Sequence, residues 1–416
     1  MAGVFYLLVS IMLHFQGTLL FVRQEWRFLL FGFLLAFWSG PGQTYVISVI
    51  GGEIRAAFLL TNSEFGLIYT LATLVCAALL WKAGPLVDHF PLKSITMKIG
   101  LMMVAALLAF GFVVGPISLF FGIIAIRFLG QGMMTHIALT SMARRYDAER
   151  GRAISIAALG IPLGLAVYPP VISMALGFVD WRFIWPGMAV LLAITLLPAI
   201  PFLVRASSRQ EEGRVEADDI EEKDIKHWTR REVLRDVRLY LLAPSIMAPA
   251  AVITGFFFHQ VYLVETKGWN FDVWALSFSA FALAHIAGSV SLGFLVDMVG
   301  ARRLAPLILM PMAIGIMLFA YVPSVTFAGV IMFCLGFGSG AVGPVLSSLW
   351  AEIYGTRHLG NIRSVVEVAT VFGSALGPVF MGLALDQGLS VYFIAIVSAG
   401  IAAMAAILAK SALIAR

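Results

Sequence analysis

Charge is scarce in this chain. Only 12% of its 416 residues are Asp, Glu, Lys or Arg, while 61% are hydrophobic and the mean hydropathy is +0.95. A water-soluble domain cannot cover itself with so few charges. Cysteine is scarcer still. Cys76 and Cys334 fall in separate apolar runs, which argues against a disulfide framework or a zinc site. No phosphate-binding loop follows a strand pattern. Gly-x-Gly pairs such as Gly336-Phe-Gly338 sit inside long apolar runs instead. No nucleophile or metal-ligand constellation stands out. The chain is therefore not expected to be an enzyme, and no cofactor is expected.

What the chain has in quantity is long apolar runs. Twelve are read as membrane-crossing helices, at about 28–50, 63–82, 94–114, 116–139, 153–177, 183–204, 240–264, 272–296, 304–322, 325–350, 364–385 and 390–411. About 20 apolar residues are needed to cross a bilayer as a helix. Runs this long are helices rather than barrel strands, because a helix satisfies its own backbone in lipid. The net charge of +5 is explained by sidedness rather than by nucleic acid, and no nucleic-acid partner is expected. Placing residue 27 on the cytoplasmic side collects 24 of the 28 Lys and Arg residues on that side, as the positive-inside rule demands. Arg55, Arg182 and Lys267 fall on the other side, and Arg127 falls inside a span.

The chain also repeats itself. Gly84-Pro-Leu-Val-Asp88 returns as Gly293-Phe-Leu-Val-Asp297, and Gly151/Gly360, Gly164/Gly373 and Pro169/Pro378 keep the same offset. A constant offset implies two homologous halves, a common build for secondary transporters with a site between the repeats. The boundaries are residues 1–26 as an apolar lead-in, 27–204 as the first six-helix bundle, 205–238 as a cytoplasmic linker and 239–416 as the second bundle. The lead-in lacks a basic n-region, so a cleaved signal peptide is not expected; the segment is read as dispensable. The linker carries 9 basic and 10 acidic residues. Within it, Thr229-Arg-Arg-Glu232 has capping-box spacing and predicts a surface helix before the seventh span.

On these residues the chain resembles the major facilitator superfamily, whose loop between the second and third helices reads G-x-L-x-D-R-x-G-R-K. Gly84, Leu86, Asp88 and Lys93 match, with His89 and Pro91 departing. The second copy keeps Gly293, Leu295, Asp297, Gly300, Arg302 and Arg303. The resemblance implies an all-α fold of two pseudo-symmetric six-helix bundles around a central cavity. It also implies a secondary transporter working by alternating access, proton-coupled or exchanging. In such a protein the glycines allow close helix approach. The aspartates accept bonds from helix N-termini, pairing Asp297 with the start of the fifth helix near Arg152 and Asp88 with the eleventh near Arg363.

Arg127 in Arg127-Phe-Leu-Gly130-Gln131 resembles the family's R-x-x-x-G motif. It is read as an anion ligand or a modulator of a proton site, because a charge at that depth is costly unless it has a purpose. Gln43 and Tyr45 on the first helix, with Gln131, His259, Gln260 and Tyr262, complete the candidate substrate cavity. His259, His285 and Glu367 are the candidates for proton coupling. Gly160-x-x-x-Gly164 and Gly373-x-x-x-Gly377 predict tight helix crossings. Leu165 stands where the family's antiporter motif has proline. The stretch A-E-I-Y-G-T-R-H-L-G at 351–360 and Gln43-Thr44-Tyr45 resemble the oxalate/formate and monocarboxylate porters, although the eighth helix has His285 and Ser289 and not the arginine that group often carries. A small solute is the expected cargo, an organic acid being what this resemblance implies. The alternatives are an exporter of drugs or amphipathic metabolites, and a non-transporting receptor or scaffold. The expected partners are the solute, protons and the lipid bilayer, the expected state is a monomer, and the expected location is a bacterial inner membrane.

Overall fold

The computed structural model describes residues 2–146, 149–204, 228–355 and 359–414; the side chains of residues 2–19, 88, 230, 359–361, 363, 364 and 414 lie outside that description. Of the sequence expectations, Asp88 and Arg363 as an ion-pair partner fall on those side chains, and most of the linker falls on residues 205–227.

Among the described residues every regular element is helical. The first span, α1, runs through Leu20–Val49, and Gly51–Phe58 bends away from it by 65°. The others are α2 Asn62–Ala83, α3 Leu92–Phe110, α4 Pro116–Arg145, α5 Arg150–Leu176 and α6 Trp181–Val204, then α7 Val237–Phe258, α8 Phe271–Val299, α9 Ala301–Tyr321, α10 Val325–Tyr354, α11 Val365–Asp386 and α12 Val391–Leu413. The backbone of the lead-in is helical and continuous with the first span, as helix Ala2–Trp38. The protein is thus an integral, multi-pass membrane protein, all-α, in two sets of six.

Local chemistry accounts for several boundaries. Thr61 and Glu64 form a reciprocal cap at the start of α2, which satisfies two backbone donors that a helix start leaves open. Thr229 and Glu232 form the same pairing, but the helix it opens is a single turn, Arg230–Val233. Asp236 then caps α7, accepting from the Arg238 N–H.

Glycine spacing sets the crossings. A Cβ at Gly160 would lie 2.2 Å from the Phe33 carbonyl oxygen, and one at Gly377 only 2.1 Å from that of Ala251. So α5 presses on α1, and α11 on α7, backbone to backbone, in corresponding helix pairs of the two halves though at different depths. Gly293 differs: nothing lies within 4 Å of its Cβ position. The close approach expected at that glycine is not made in this conformation.

Among the described residues, the apolar contact between the two halves is concentrated on one side. Residues 205–238 connect them at what we call the linker face; the opposite side is the far face. One apolar cluster joins the first half to the far-face part of the second, from Val252 through Phe319 to Ile394. A second cluster, from Leu239 through Leu304 to Tyr354 and Ala412, belongs to the linker-face part of the second half. The hydrogen bonds joining Ser48 to Gln260, Asn62 and Ser63 to Asp386, Thr70 to Ala375 and Ser173 to Asp272 cross between the halves, and all lie toward the far face. The molecule is closed at the far face and parted at the linker face.

Candidate functional site: a central cavity beside a buried arginine

Two breaks in regular helix build the centre. In α1, Ser39-Gly-Pro-Gly42 forms a 3₁₀ turn at Gly40–Gly42, between helix Ala2–Trp38 and helix Thr44–Val49. In α4, residues Phe128–Met134 widen into a π-helix, a distortion common at functional sites. The two breaks seat against each other. A Cβ at Gly42 would lie 2.2 Å from the Ile126 carbonyl oxygen, and one at Gly130 would lie 2.9 Å from that of Ser39. Only glycine tolerates this approach, so these glycines hold Gln43-Thr44-Tyr45 beside Gln131.

A cavity of about 250 Å³ opens there. It is bordered by Gln43, Thr44, Tyr45 and Gln131 from the first half and by Thr254, His285, Ser339 and Ser374 from the second, with Phe257 and Phe281 among its apolar walls. Thr254 and Ser374 share a hydrogen bond of 3.1 Å. Tyr45 Oη, Gln131 Oε1 and His285 Nδ1 are buried without a partner. Buried polar groups are rarely left so, and a bound polar ligand is one way such a set is satisfied.

Arg127 does not border the cavity but lies behind it. It is 3% exposed. Its Nη1 donates to Tyr69 Oη, its guanidinium stacks on the Tyr69 ring at 4.3 Å, and its Nε has no partner. Among the described residues no carboxylate pairs with it. Tyr69, wholly buried, shares a 2.5 Å hydrogen bond with Thr44 Oγ1, and Thr44 does border the cavity.

The remaining candidates are placed elsewhere. His259 ends α7; its Nε2 is 2.7 Å from the Pro378 carbonyl oxygen. Gln260 is fully buried, donating to Ser48 Oγ at 2.9 Å and accepting from Trp274 Nε1 at 3.0 Å. It stitches the halves together in the far-face seal, about one turn beyond the cavity. Tyr262 lies farther out, with Arg55 over its ring at 5.6 Å, in a bowl of about 700 Å³ that also includes Glu53, Glu265 and Asp272. The two Gln-x-Tyr pairs therefore stand at different depths. Glu367 is exposed and does not border the cavity.

At the linker face the basic residues anchor to their own half. Arg144 Nη1 donates to the Val87 carbonyl oxygen at 3.0 Å. Arg145 pairs with Glu25 at 2.9 Å, and Tyr146 donates to the same carboxylate at 2.8 Å. Burial, and then the hydrogen bond to Glu25, raise the Tyr146 pKa above its ordinary value, so it remains a donor across physiological pH. In the second copy of the loop, the carboxylate capping the next helix is that of Glu352, which accepts from the Ala301 N–H at 2.8 Å and lies 3.8 Å from Arg302 Nε. Asp297 is exposed and has no ion pair with Arg152. The parted linker face separates the elements that would carry one.

One polar contact of the seal leaves no mark in the sequence pattern. Asp386, at the end of α11, accepts from the Ser63 N–H at 2.7 Å, the Asn62 N–H at 3.1 Å and Asn62 Nδ2 at 3.0 Å. It thereby caps α2 of the other half, where the helix dipole favours an anion. Ser173 Oγ donates to Asp272 at 2.6 Å, and Thr70 Oγ1 to the Ala375 carbonyl oxygen at 2.5 Å. Removing the Asp386 carboxylate should weaken closure by about 1 kcal/mol, an approximately five-fold shift toward the conformation open at the far face. Spin labels at Phe178 and Phe327, both exposed on far-face turns, would report it. Asp386→Ala should enlarge the long-distance population; an unchanged distribution removes Asp386 as a latch.

The sequence profile of the Major Facilitator Superfamily matches residues 29–360 and 253–415. The chain belongs to that superfamily. Monocarboxylate transporter 13 of Rattus norvegicus is 24% identical over 365 residues, 86% of this chain and 79% of that one. The probable sulfoacetate transporter SauU of Cupriavidus necator is 31% identical over 195 residues, 45% of this chain and 44% of that one. Among solved structures, the nucleoside transporter NupG superposes with a TM-score of 0.72 at 14% identity, over 94% of this chain and 100% of that one. A bacterial homologue of the human lysosomal transporter Spinster gives 0.66 at 15%, over 93% of each. At such identities these structures establish the superfamily fold. The chain is a membrane transporter of this superfamily, not an enzyme.

Proposed function

We propose that the protein carries a small organic anion through its central cavity by alternating access, coupled to protons or to a counter-solute. The observation that carries this reading is Arg127, a cation buried in the bundle with no carboxylate partner beside a cavity lined by hydroxyl and amide groups. An uncompensated charge at that depth costs several kcal/mol, which an anionic cargo offsets while bound. The names of two relatives, for monocarboxylates and for sulfoacetate, are of the same chemical class. With the positive-inside distribution, the linker face is the cytoplasmic one and the conformation described is open to the cytoplasm.

His285 is the better placed of the two histidines for coupling, since it borders the cavity and keeps Nδ1 unpartnered. His259 spends its Nε2 on the Pro378 carbonyl. The test is counterflow of labelled lactate and sulfoacetate in proteoliposomes holding the full chain, at several pH values. Exchange of either anion supports the proposal, whereas counterflow of neither, alongside flux of neutral amphipathic compounds, refutes it. His285→Gln is expected to remove acceleration by an imposed pH gradient while retaining exchange; gradient-driven uptake equal to wild type would discharge His285 from the role.

A further inference from the structure

We infer that Arg127, Tyr69 and Thr44 form an oriented hydrogen-bond chain that fixes the Thr44 hydroxyl as a donor toward the cargo's anionic group. The inference rests on the organic-anion reading and assigns that recognition to a residue bordering the cavity rather than to the arginine directly.

The orientation follows from donor inventory. A guanidinium has donors and no acceptor, so in the Arg127–Tyr69 bond the phenol oxygen must accept. The Tyr69 hydroxyl hydrogen then needs an acceptor of its own. Tyr69 is wholly buried, and Thr44 Oγ1 is its one remaining hydrogen-bond partner, at 2.5 Å. Were Thr44 the donor instead, the phenolic hydrogen would be left buried and unpaired, at a cost buried polar groups seldom bear. Tyr69 therefore donates to Thr44, and the hydrogen on Thr44 Oγ1 has no acceptor among the described residues. Thr44 borders the cavity between Gln43 and Tyr45.

The cation polarises the chain. Each hydroxyl sits with its oxygen toward the positive end, so each becomes a stronger donor at its other end. Thr44 is thus a directed, charge-assisted donor suited to a carboxylate or sulfonate oxygen, and poorly suited to an ammonium or amide N–H. The arrangement keeps the guanidinium out of the cavity, where it would be hydrated whenever the linker face is open. The Tyr69 ring covers Arg127 at 4.3 Å and itself packs on Phe258 at 4.5 Å. Arg127 and Tyr69 are positioning residues in this scheme; Thr44 touches the cargo.

The experiment measures counterflow KM and kcat for lactate and sulfoacetate in proteoliposomes of the full chain, with inhibition by lactamide as the neutral isostere. Tyr69→Phe and Thr44→Val should each raise KM for the anion by about 10- to 100-fold, the range for losing a hydrogen bond to a charged group. Inhibition by lactamide and kcat should move far less. Thr44→Ser, which retains the hydroxyl, should keep the preference for anion over amide. The Tyr69→Phe and Thr44→Val effects should not multiply when combined, because both break one chain. If the wild type carries lactate or sulfoacetate but Tyr69→Phe keeps the wild-type preference over lactamide, the chain is refuted and the transport reading stands. If the wild type carries neither anion, the transport reading falls and the inference falls with it.

Discussion

Arg127→Gln should lose about 100-fold in kcat/KM for organic anions, the upper range for a hydrogen bond to a charged group, because it removes the cation that polarises Tyr69 and Thr44. The same variant should retain its thermal stability or gain some. In the empty protein Arg127 has no carboxylate partner, and its Nε is unsatisfied. Taking away such a cation removes a desolvation cost rather than a stabilising ion pair. A residue serving only as an interhelical clasp through Tyr69 would behave in the opposite way, lowering Tm while leaving substrate preference intact. The check is paired: Tm of the detergent-purified variant, and counterflow after reconstitution. A large drop in Tm, or transport of lactate and sulfoacetate at wild-type rates, contradicts the role given to Arg127.

The second large effect concerns folding. Gly377→Val places a branched side chain where a Cβ alone would stand 2.1 Å from the Ala251 carbonyl oxygen. The obstacle is backbone of α7, which cannot rotate away as a side chain can. Helix contacts in lipid depend on this closeness, since apolar burial adds little between helices already surrounded by hydrocarbon. We expect a destabilisation beyond about 4 kcal/mol and loss of the monodisperse peak in size-exclusion chromatography. Gly400→Ala serves as the control, because nothing lies within 4 Å of that site. A monodisperse Gly377→Val protein with wild-type Tm would show that α7 and α11 do not cross as closely as described.

Much of this architecture was legible in the chain. The apolar runs locate the spans, because lipid leaves the backbone few alternatives, and the constant offset between repeats announces two bundles. The helix 5 and helix 11 glycines declare their crossings by spacing alone. The site was less legible. Gln43, Tyr45, Gln131 and His285 border the cavity, but Gln260 and Tyr262, picked by analogy with Gln43 and Tyr45, lie toward the far face, because the break in α7 at His259 and the break in α1 fall at different depths. Tyr69 was invisible as a functional residue. It is one aromatic in an apolar run, and its importance arises from Arg127, 58 positions away. Asp386 is not legible because it ends a helix, where an acidic residue reads as solvated; its partners stand 323 and 324 positions earlier. Pattern and period reveal elements, whereas pairings across bundles depend on rotations that a single chain does not spell out.

The division of the apolar interior into two masses has a mechanical meaning. α7, α8 and α10 each thread both masses, so the second bundle has a waist that the first lacks. In the alternating-access cycle proposed above, shutting the linker-face cleft would swing the free mass as a lever, with the load at mid-helix, where Gly336 and Gly340 set α10 directly on the backbone of α8. In that cycle the junction would be the fulcrum, its stiffness setting how far each stroke travels.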